Sequence, residues 1–281
     1  MRAIESLEQM QSVCRDVRRS GKRLGLVPTM GALHEGHLSL VRAARAQCDV
    51  VAVSLFVNPL QFGPKEDYSK YPRTFERDRA LLEAERVDLL LAPSAQAMYP
   101  PGASTFVEVA GLSDKLDGKS RPGHFRGVAT VVAKLFHIVQ PDLAFFGQKD
   151  AAQLAIIRRM VRDQNMDVQI VPCPIVREPD GLAMSSRNQY LSGDERKRAT
   201  VLYRSLCQVR SLFDRGEQQS EPLIECGKRT IAEEPAARLD YFAIVDPDTL
   251  DPVNEVSRGA LVAVAAWVGS TRLIDNIFLP G

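Results

Sequence analysis

Two histidines three residues apart, His34 and His37, stand in "VPTMGALHEGHLSLV", residues 27–41, directly after a short apolar run. Imidazoles placed at the mouth of a helix supply donors that can neutralise negative charge as it develops on a substrate. Gly31 and Gly36 in the same loop remove side chains where a flat ring or a phosphate must approach the backbone, and the N–H groups of a helix beginning near Gly36 attract anions. Zinc is disfavoured, because a metalloprotease helix needs His-Glu-x-x-His with the histidines four apart, and position 38 is Leu. The plainer structural reading is that one imidazole caps the helix while the other lies on the surface.

Three further stretches carry chemistry. "FVNPLQFGPKEDYSKYPRTFERD" begins at the end of a second apolar run, and its Asn58 and Gln61 are amides able to hydrogen-bond a hydroxy acid where water is excluded. A simple turn after a strand would look the same. In "FFGQKD", Gly147 frees the backbone, Lys149 offers a point charge for phosphate and Asp150 can cap the next helix. Gln153, four residues past Lys149, points to the same crevice. "GLAMSSRN" places Ser185, Ser186 and Arg187 in a junction that reads as a mobile phosphate clamp or as a solvated linker.

Elements able to position these residues follow from hydrophobic periodicity. Apolar residues at Ile4, Leu7, Met10, Val13 and Val17 predict a helix over 4–19, ended by Gly21. Then come "RLGLVPT" (strand), "HLSLVRAARAQ" (helix), "DVVAVSLFV" (strand), "RDRALLEAERV" (helix), "DLLLAP" (strand), "VATVVAKLFHIVQ" (helix), "DLAFFG" (strand), "AAQLAIIRRMVRDQ" (helix) and "DVQIVPCPIV" (strand). Strands alternating with helices imply an α/β fold, a Rossmann-like doubly wound parallel sheet over residues 1–175. In such sheets the ligand crevice lies at the carboxyl ends of the strands, where the histidine loop sits. Residues 176–281 change pattern: helices near 195–215 and 221–233 precede "RLDYFAIVD", "ALVAVAAWV" and "TRLIDNIFL", which implies a second, smaller α+β domain.

With 281 residues, 45% hydrophobic and 25% charged, the chain reads as a soluble globular protein of one large or two ordinary domains. Its 36 Lys and Arg nearly cancel 35 Asp and Glu, so no global field favours nucleic acid or an anionic membrane, and an anion site must be built locally. Five scattered cysteines without a Cys-x-x-Cys pair read as small core residues in a reducing compartment. The N-terminal stretch has no signal-peptide core and no window is long enough to span a bilayer, so a cytoplasmic location is expected.

"HEGH" after a strand resembles the His-x-Gly-His signature of the nucleotidyltransferase superfamily shared with class I aminoacyl-tRNA synthetases. Together "PTMGALHEGH", "FVNPLQFGPKEDYSKYPRT", "FFGQKD" and "DGLAMSSRN" closely resemble the pantothenate synthetase (pantoate–β-alanine ligase) family, over essentially the whole chain and most weakly between 205 and 238. The resemblance implies an ATP-dependent condensation of pantoate with β-alanine to pantothenate, AMP and pyrophosphate through pantoyl adenylate. It implies an ATP site lined by Met30, Gly31, Ala32, Leu33, His34, Glu35, Gly36 and His37 and completed by Gly147, Gln148, Lys149, Asp150, Val176, Met184, Ser185, Ser186 and Arg187. His34, His37 and Lys149 would be on the phosphates, with His37 the proton donor, and Asp150 on the ribose. Gln61 and Gln153 would hold pantoate, with Asn58 beside them and Gln61 also near β-alanine. Magnesium would ride on the ATP phosphates, with Asp78 in "ERD" a candidate ligand. "MSSRN" departs from the lysine-rich mobile loop of the synthetases and agrees with the pantothenate synthetase version.

A homodimer is implied too; closure of the smaller C-terminal domain over the crevice is expected, because a mixed anhydride such as pantoyl adenylate must be shielded from water. Two alternatives are a nucleotidyltransferase acting on a phosphorylated acceptor, for which a basic cluster near Gln61 would be expected, and a silent ATP-binding regulator, against which the intact His34, His37, Lys149 and Arg187 speak. His124 reads as a loop donor and His137 as a structural helix residue.

Overall fold

The computed structural model describes residues 1–64 and 66–281. Its first part runs β1 (Arg2–Ile4), α1 (Leu7–Arg19), β2 (Leu24–Thr29), α2 (Glu35–Arg45), β3 (Val50–Leu55), α3 (Phe75–Ala84), β4 (Leu89–Leu91), α4 (Ala95–Met98), α5 (Asp117–Ser120), α6 (His124–Val139), β5 (Leu143–Gly147), α7 (Ala151–Asp163) and β6 (Gln169–Cys173). All six strands are parallel in the order β1-β4-β3-β2-β5-β6. The chain leaves β2 toward β3 on one side and reaches β5 on the other, so the switch point of this doubly wound sheet lies at the carboxyl ends of β2 and β5. β2 and β3 are buried along nearly their whole length. Their unbroken apolar runs reflect layers on both faces: Met10 and Cys14 of α1 with α6 and α7 on one, Leu40, Val41 and Ala44 of α2 with Leu82 of α3 on the other.

Several boundaries differ from the periodicity. Ile4 belongs to β1, paired with Leu91 of β4, and α1 begins only at Leu7 because the Ser6 hydroxyl accepts from the Gln9 N–H at 3.1 Å. α6 starts at His124 rather than Val128, behind Gly123 at φ +82°, and β6 stops at Cys173. His137, read as structural, is exposed on α6, and Cys207, read as a core residue, is exposed on a later helix.

The second part comprises α8 (Gly193–Arg198), α9 (Val201–Asp214), α10 (Ser220–Ala232) and an antiparallel meander of β7 (Ala237–Val245), β8 (Ala260–Val268) and β9 (Thr271–Leu279). β8 divides its side chains between two cores. Ala260, Val262, Val264, Ala266 and Val268 pack with Leu202, Leu206 and Leu223 of α9 and α10, while Leu261 and Ala263 join the core of the parallel sheet. A strand buried on both faces has no polar side to show, which is why "ALVAVAAWV" does not alternate. Among the described residues no helix is long and apolar enough to cross a membrane.

Candidate active site

Beyond β2 the loop turns through Gly31 at φ +82° and Ala32 at φ +30°, and Asp78 of α3 fixes it by accepting the Leu33 N–H at 2.8 Å. His34 is the N-cap of α2, its Nδ1 accepting the Gly36 N–H at 3.1 Å. A Cβ at position 36 would stand 2.9 Å from His34 Cε1, so Gly36 makes room for the capping imidazole at the wall of the crevice. His37 lies one turn on, with ring centroids 4.1 Å apart, and its Nδ1 accepts the His34 N–H over a long 3.4 Å. An imidazole accepting through Nδ1 carries its proton on Nε2, so each ring offers Nε2–H as a donor. Burial, helped by the Lys149 charge, lowers His34 to about 4. Burial, His34 and Lys149 lower His37 to about 3. Both rings are therefore neutral donors at neutral pH.

Past β3, a short 3-10 turn (Pro59–Gln61) packs directly on α6: a Cβ at Gly127 would collide with the Leu60 carbonyl. The Gln61 side chain is oriented by Asn58, whose Nδ2 donates to Gln61 Oε1 at 3.1 Å and to the Gly127 carbonyl at 3.0 Å, while Asn58 Oδ1 accepts from the Tyr99 hydroxyl at 2.8 Å. Gln61 thus presents Nε2, which donates to Met30 Sδ at 2.9 Å. The Gln61 carbonyl accepts from His124 Nδ1 at 2.8 Å, and His124 Nε2 accepts from Arg121 Nη1 at 3.0 Å. A carbonyl only accepts and a guanidinium only donates, so His124 is held as the neutral Nδ1–H tautomer. Burial first, then the Arg121 charge, lowers it to about 3. Glu66 holds Arg121 in turn, through contacts of 2.9 and 2.6 Å.

At the carboxyl end of β5 a second 3-10 turn, Gln148–Asp150, leads into α7. Asp150 occupies the N-cap position without making a side-chain capping bond; its carboxylate lies 3.7 Å from Lys149 Nζ. From the junction, Ser186 Oγ donates to the Ala32 carbonyl at 3.0 Å, which draws the third 3-10 turn, Ser186–Tyr190, over the histidine loop. Arg187 is paired with Asp67, both contacts at 3.0 Å. Burial alone would raise the Asp67 carboxyl, yet hydrogen bonds and charge from Arg187 hold it below its ordinary value.

All of this surrounds one crevice at the switch point, a cavity of about 220 Å³. It adjoins an outer cavity of about 770 Å³ toward the C-terminal sheet, and both are lined by Arg121, His124, Lys149, Gln153 and Arg187. The family model described as pantoate-beta-alanine ligase matches residues 2–278. The chain belongs to that family. It is 61% identical over 279 residues to the pantothenate synthetase of Koribacter versatilis (strain Ellin345), covering 99% of this chain and 96% of the relative. With the pantothenate synthetase of Thermotoga neapolitana it shares 58% over 279 residues, 99% and 100% covered. The fold is similar to the crystal structure of pantothenate synthetase from Thermus thermophilus, with a TM-score of 0.94, 48% identity and 99% of each chain covered. Pantoate-beta-alanine ligase from Francisella tularensis, complexed with beta-gamma ATP and beta-alanine, superposes with a TM-score of 0.80 at 35% identity, covering 99% of this chain and 97% of that one.

As a ligase of this family the chain brings most of the expected residues together. Met30, His34, Gly36, His37, Asn58, Gln61, Gly147, Lys149, Asp150, Gln153, Val176, Met184, Ser185, Ser186 and Arg187 all line the crevice. The others point elsewhere. Ala32 and Leu33 are buried, Glu35 pairs with Arg42 on the outer face of α2, Gln148 is exposed, and Gly31 serves the turn. Asp78, considered for magnesium, has its carboxylate on the Leu33 N–H, and burial raises it. Asn58, expected beside pantoate, directs its amide to Gln61, Gly127 and Tyr99. Arg121 and Tyr71 line the crevice without having been singled out in the sequence. The i, i+3 spacing of Arg121 and His124 in "SRPGHFRG" was the available signal for the first, and Tyr71 carried none.

Proposed function

We propose that this crevice binds ATP beside pantoate, joins the pantoate carboxylate to the α-phosphate with release of pyrophosphate, and then passes the pantoyl group to the amine of β-alanine with release of AMP. The observation that carries the reading is the convergence, at one switch point, of two neutral imidazoles with Nε2–H donors, Lys149, and the amides of Gln61 and Gln153. A carboxylate already ionised at neutral pH needs no general base, so the rate must come from placing it in line and stabilising charge on the phosphates. His34, His37 and Lys149 supply the donors and the positive charge for that. Gln61, its Oε1 occupied by Asn58, offers Nε2–H to the oxygens of pantoate. For Arg187 to reach the β- and γ-phosphates it must exchange the Asp67 carboxylate for the incoming anion.

Magnesium enters as part of the nucleotide substrate. Among the described residues no group of three or more His, Cys, Asp or Glu side chains is placed to hold a metal ion. Phosphate oxygens and water are the ligands such an ion prefers. A homodimer and a cytoplasmic location belong to the same reading, and light scattering tests the first.

The deciding experiment follows pyrophosphate release from magnesium and ATP with and without pantoate, before and after β-alanine is added. Pantoate-dependent release that becomes sustained turnover with β-alanine is expected; release indifferent to pantoate overturns the reading. Gln153→Ala should raise the KM for pantoate far more than that for ATP, and equal increases would remove Gln153 from the pantoate site.

A further inference from the structure

The turn that carries Lys149 has no side-chain cap, because its N-cap residue is Gly147, and Asp150, at the N-cap of α7, makes no capping bond either. Its tether comes from the other sheet. Asn276, buried on β9, donates from Nδ2 to the Gln148 carbonyl at 3.0 Å and to the Lys149 carbonyl at 2.9 Å, one amide holding two successive backbone oxygens. Asn276 does not line the crevice, so it has no contact with substrate to make. Its neighbour Asp275 performs a parallel task on the opposite side. The Arg177 guanidinium donates to Asp275 at 2.6 and 2.9 Å and also to the Gly181 carbonyl at 3.0 Å, which fastens the base of the 177–183 hairpin, and with it the segment leading to Ser185 and Arg187, to β9. Two consecutive polar residues in the middle of β9, flanked by Leu273, Ile274, Ile277 and Phe278, thus grip the two sides of the crevice.

We propose that Asn276 is a positioning residue for Lys149: from the C-terminal sheet it fixes the backbone of the turn, so that the lysine ammonium is held in the crevice at a set distance from the imidazole pair. The proposal rests on the reading of Lys149 as a phosphate contact. A flexible four-carbon side chain on an untethered turn would distribute its charge over many positions, and a displacement of about 1 Å in a positioned group is enough to lower a rate as much as a hundredfold.

The test is a double-mutant cycle with Lys149→Ala and Asn276→Ala, read as pantoate-dependent pyrophosphate release at subsaturating ATP. Asn276→Ala is expected to lower kcat/KM for ATP about tenfold while leaving the KM for β-alanine unchanged. In the Lys149→Ala background the same substitution should change little further. Losses that multiply in the double variant overturn the proposal, as does a folded Asn276→Ala enzyme with wild-type kcat/KM for ATP. If Asn276→Ala does not fold, Asn276→Ser, which keeps one donor, replaces it in the cycle under the same criteria. Wild-type release by Lys149→Ala alone would remove the lysine from the phosphates, and the positioning role with it. A damaging Lys149→Ala beside a silent Asn276 substitution sinks the positioning role only.

Discussion

An imidazole that accepts a backbone N–H through Nδ1 is committed to offering its other nitrogen as a donor, and His34 and His37 are both in that state. The capping reading and the phosphate reading of "HEGH" are therefore compatible in His34: one nitrogen caps α2, the other remains for a ligand. His37 is the cleaner residue to test, because its loss leaves that cap in place. His37→Ala is expected to remain folded and to cut adenylate formation about a hundredfold or more, the scale of removing a preorganised donor from developing charge. Single-turnover pyrophosphate release checks this, and an unchanged rate would strip His37 of the role. At this scale the sequence revealed residue types and loop positions, but hydrogen-bond assignments were beyond it. Asn58 and Gln61 are both amides three residues apart, and only the location of Gly127 and Tyr99 shows that the first serves the second.

Among the elements, the Pro59–Gln61 turn sits closely on α6 and carries Gln61, the proposed pantoate contact. Gly127 permits it, since any side chain there would meet the Leu60 backbone. Gly127→Ala is expected to destabilise the fold by about 1–3 kcal/mol, the range of overpacking, and to raise the KM for pantoate as the turn carrying Gln61 is displaced. Urea titration with steady-state kinetics separates the two effects; lowered stability with an unchanged KM would confine the contact to packing. The sequence showed α6 from its apolar run but began it four residues late, at Val128 rather than His124. The first turn, "HFRG", carries a single apolar side chain, Phe125, between His124 and Arg126, and it is ordered by burial of Phe125 in the core and by the contact of His124 with the Gln61 carbonyl.

For the molecule as a whole, the buried neutral histidines make stability depend on pH. His124 has a folded-state pKa of about 3 against an ordinary 6.5, so between these values the unfolded chain binds a proton that the folded chain does not. Stability therefore falls as pH drops below 6.5, by up to about 1.4 kcal/mol per pH unit from this group, and His34 and His37 act in the same direction. Melting wild type and His124→Gln between pH 5 and 7, above most carboxylate titrations, should show a shallower slope in the variant; identical slopes would mean that His124 is not held neutral. Arg272 of β9 meets Asp117 of α5 across the two parts at 2.7 Å, and Arg177 of the junction meets Asp275 of β9, ion pairs whose partners lie 155 and 98 residues apart. Local chemistry along the chain was sufficient to determine the class of fold and the placement of the histidine, glutamine and lysine loops at strand ends, because hydrophobic period is a property of short segments, while the family followed from the resemblance of four motifs and the match over residues 2–278. Which carboxylate takes Arg187, which amide orients Gln61 and which strand tethers the lysine turn were decided by the tertiary structure alone, because each depends on a group far off in the chain: Asp67 for Arg187, Gly127 and Tyr99 for the amide that orients Gln61, and Asn276 for the turn.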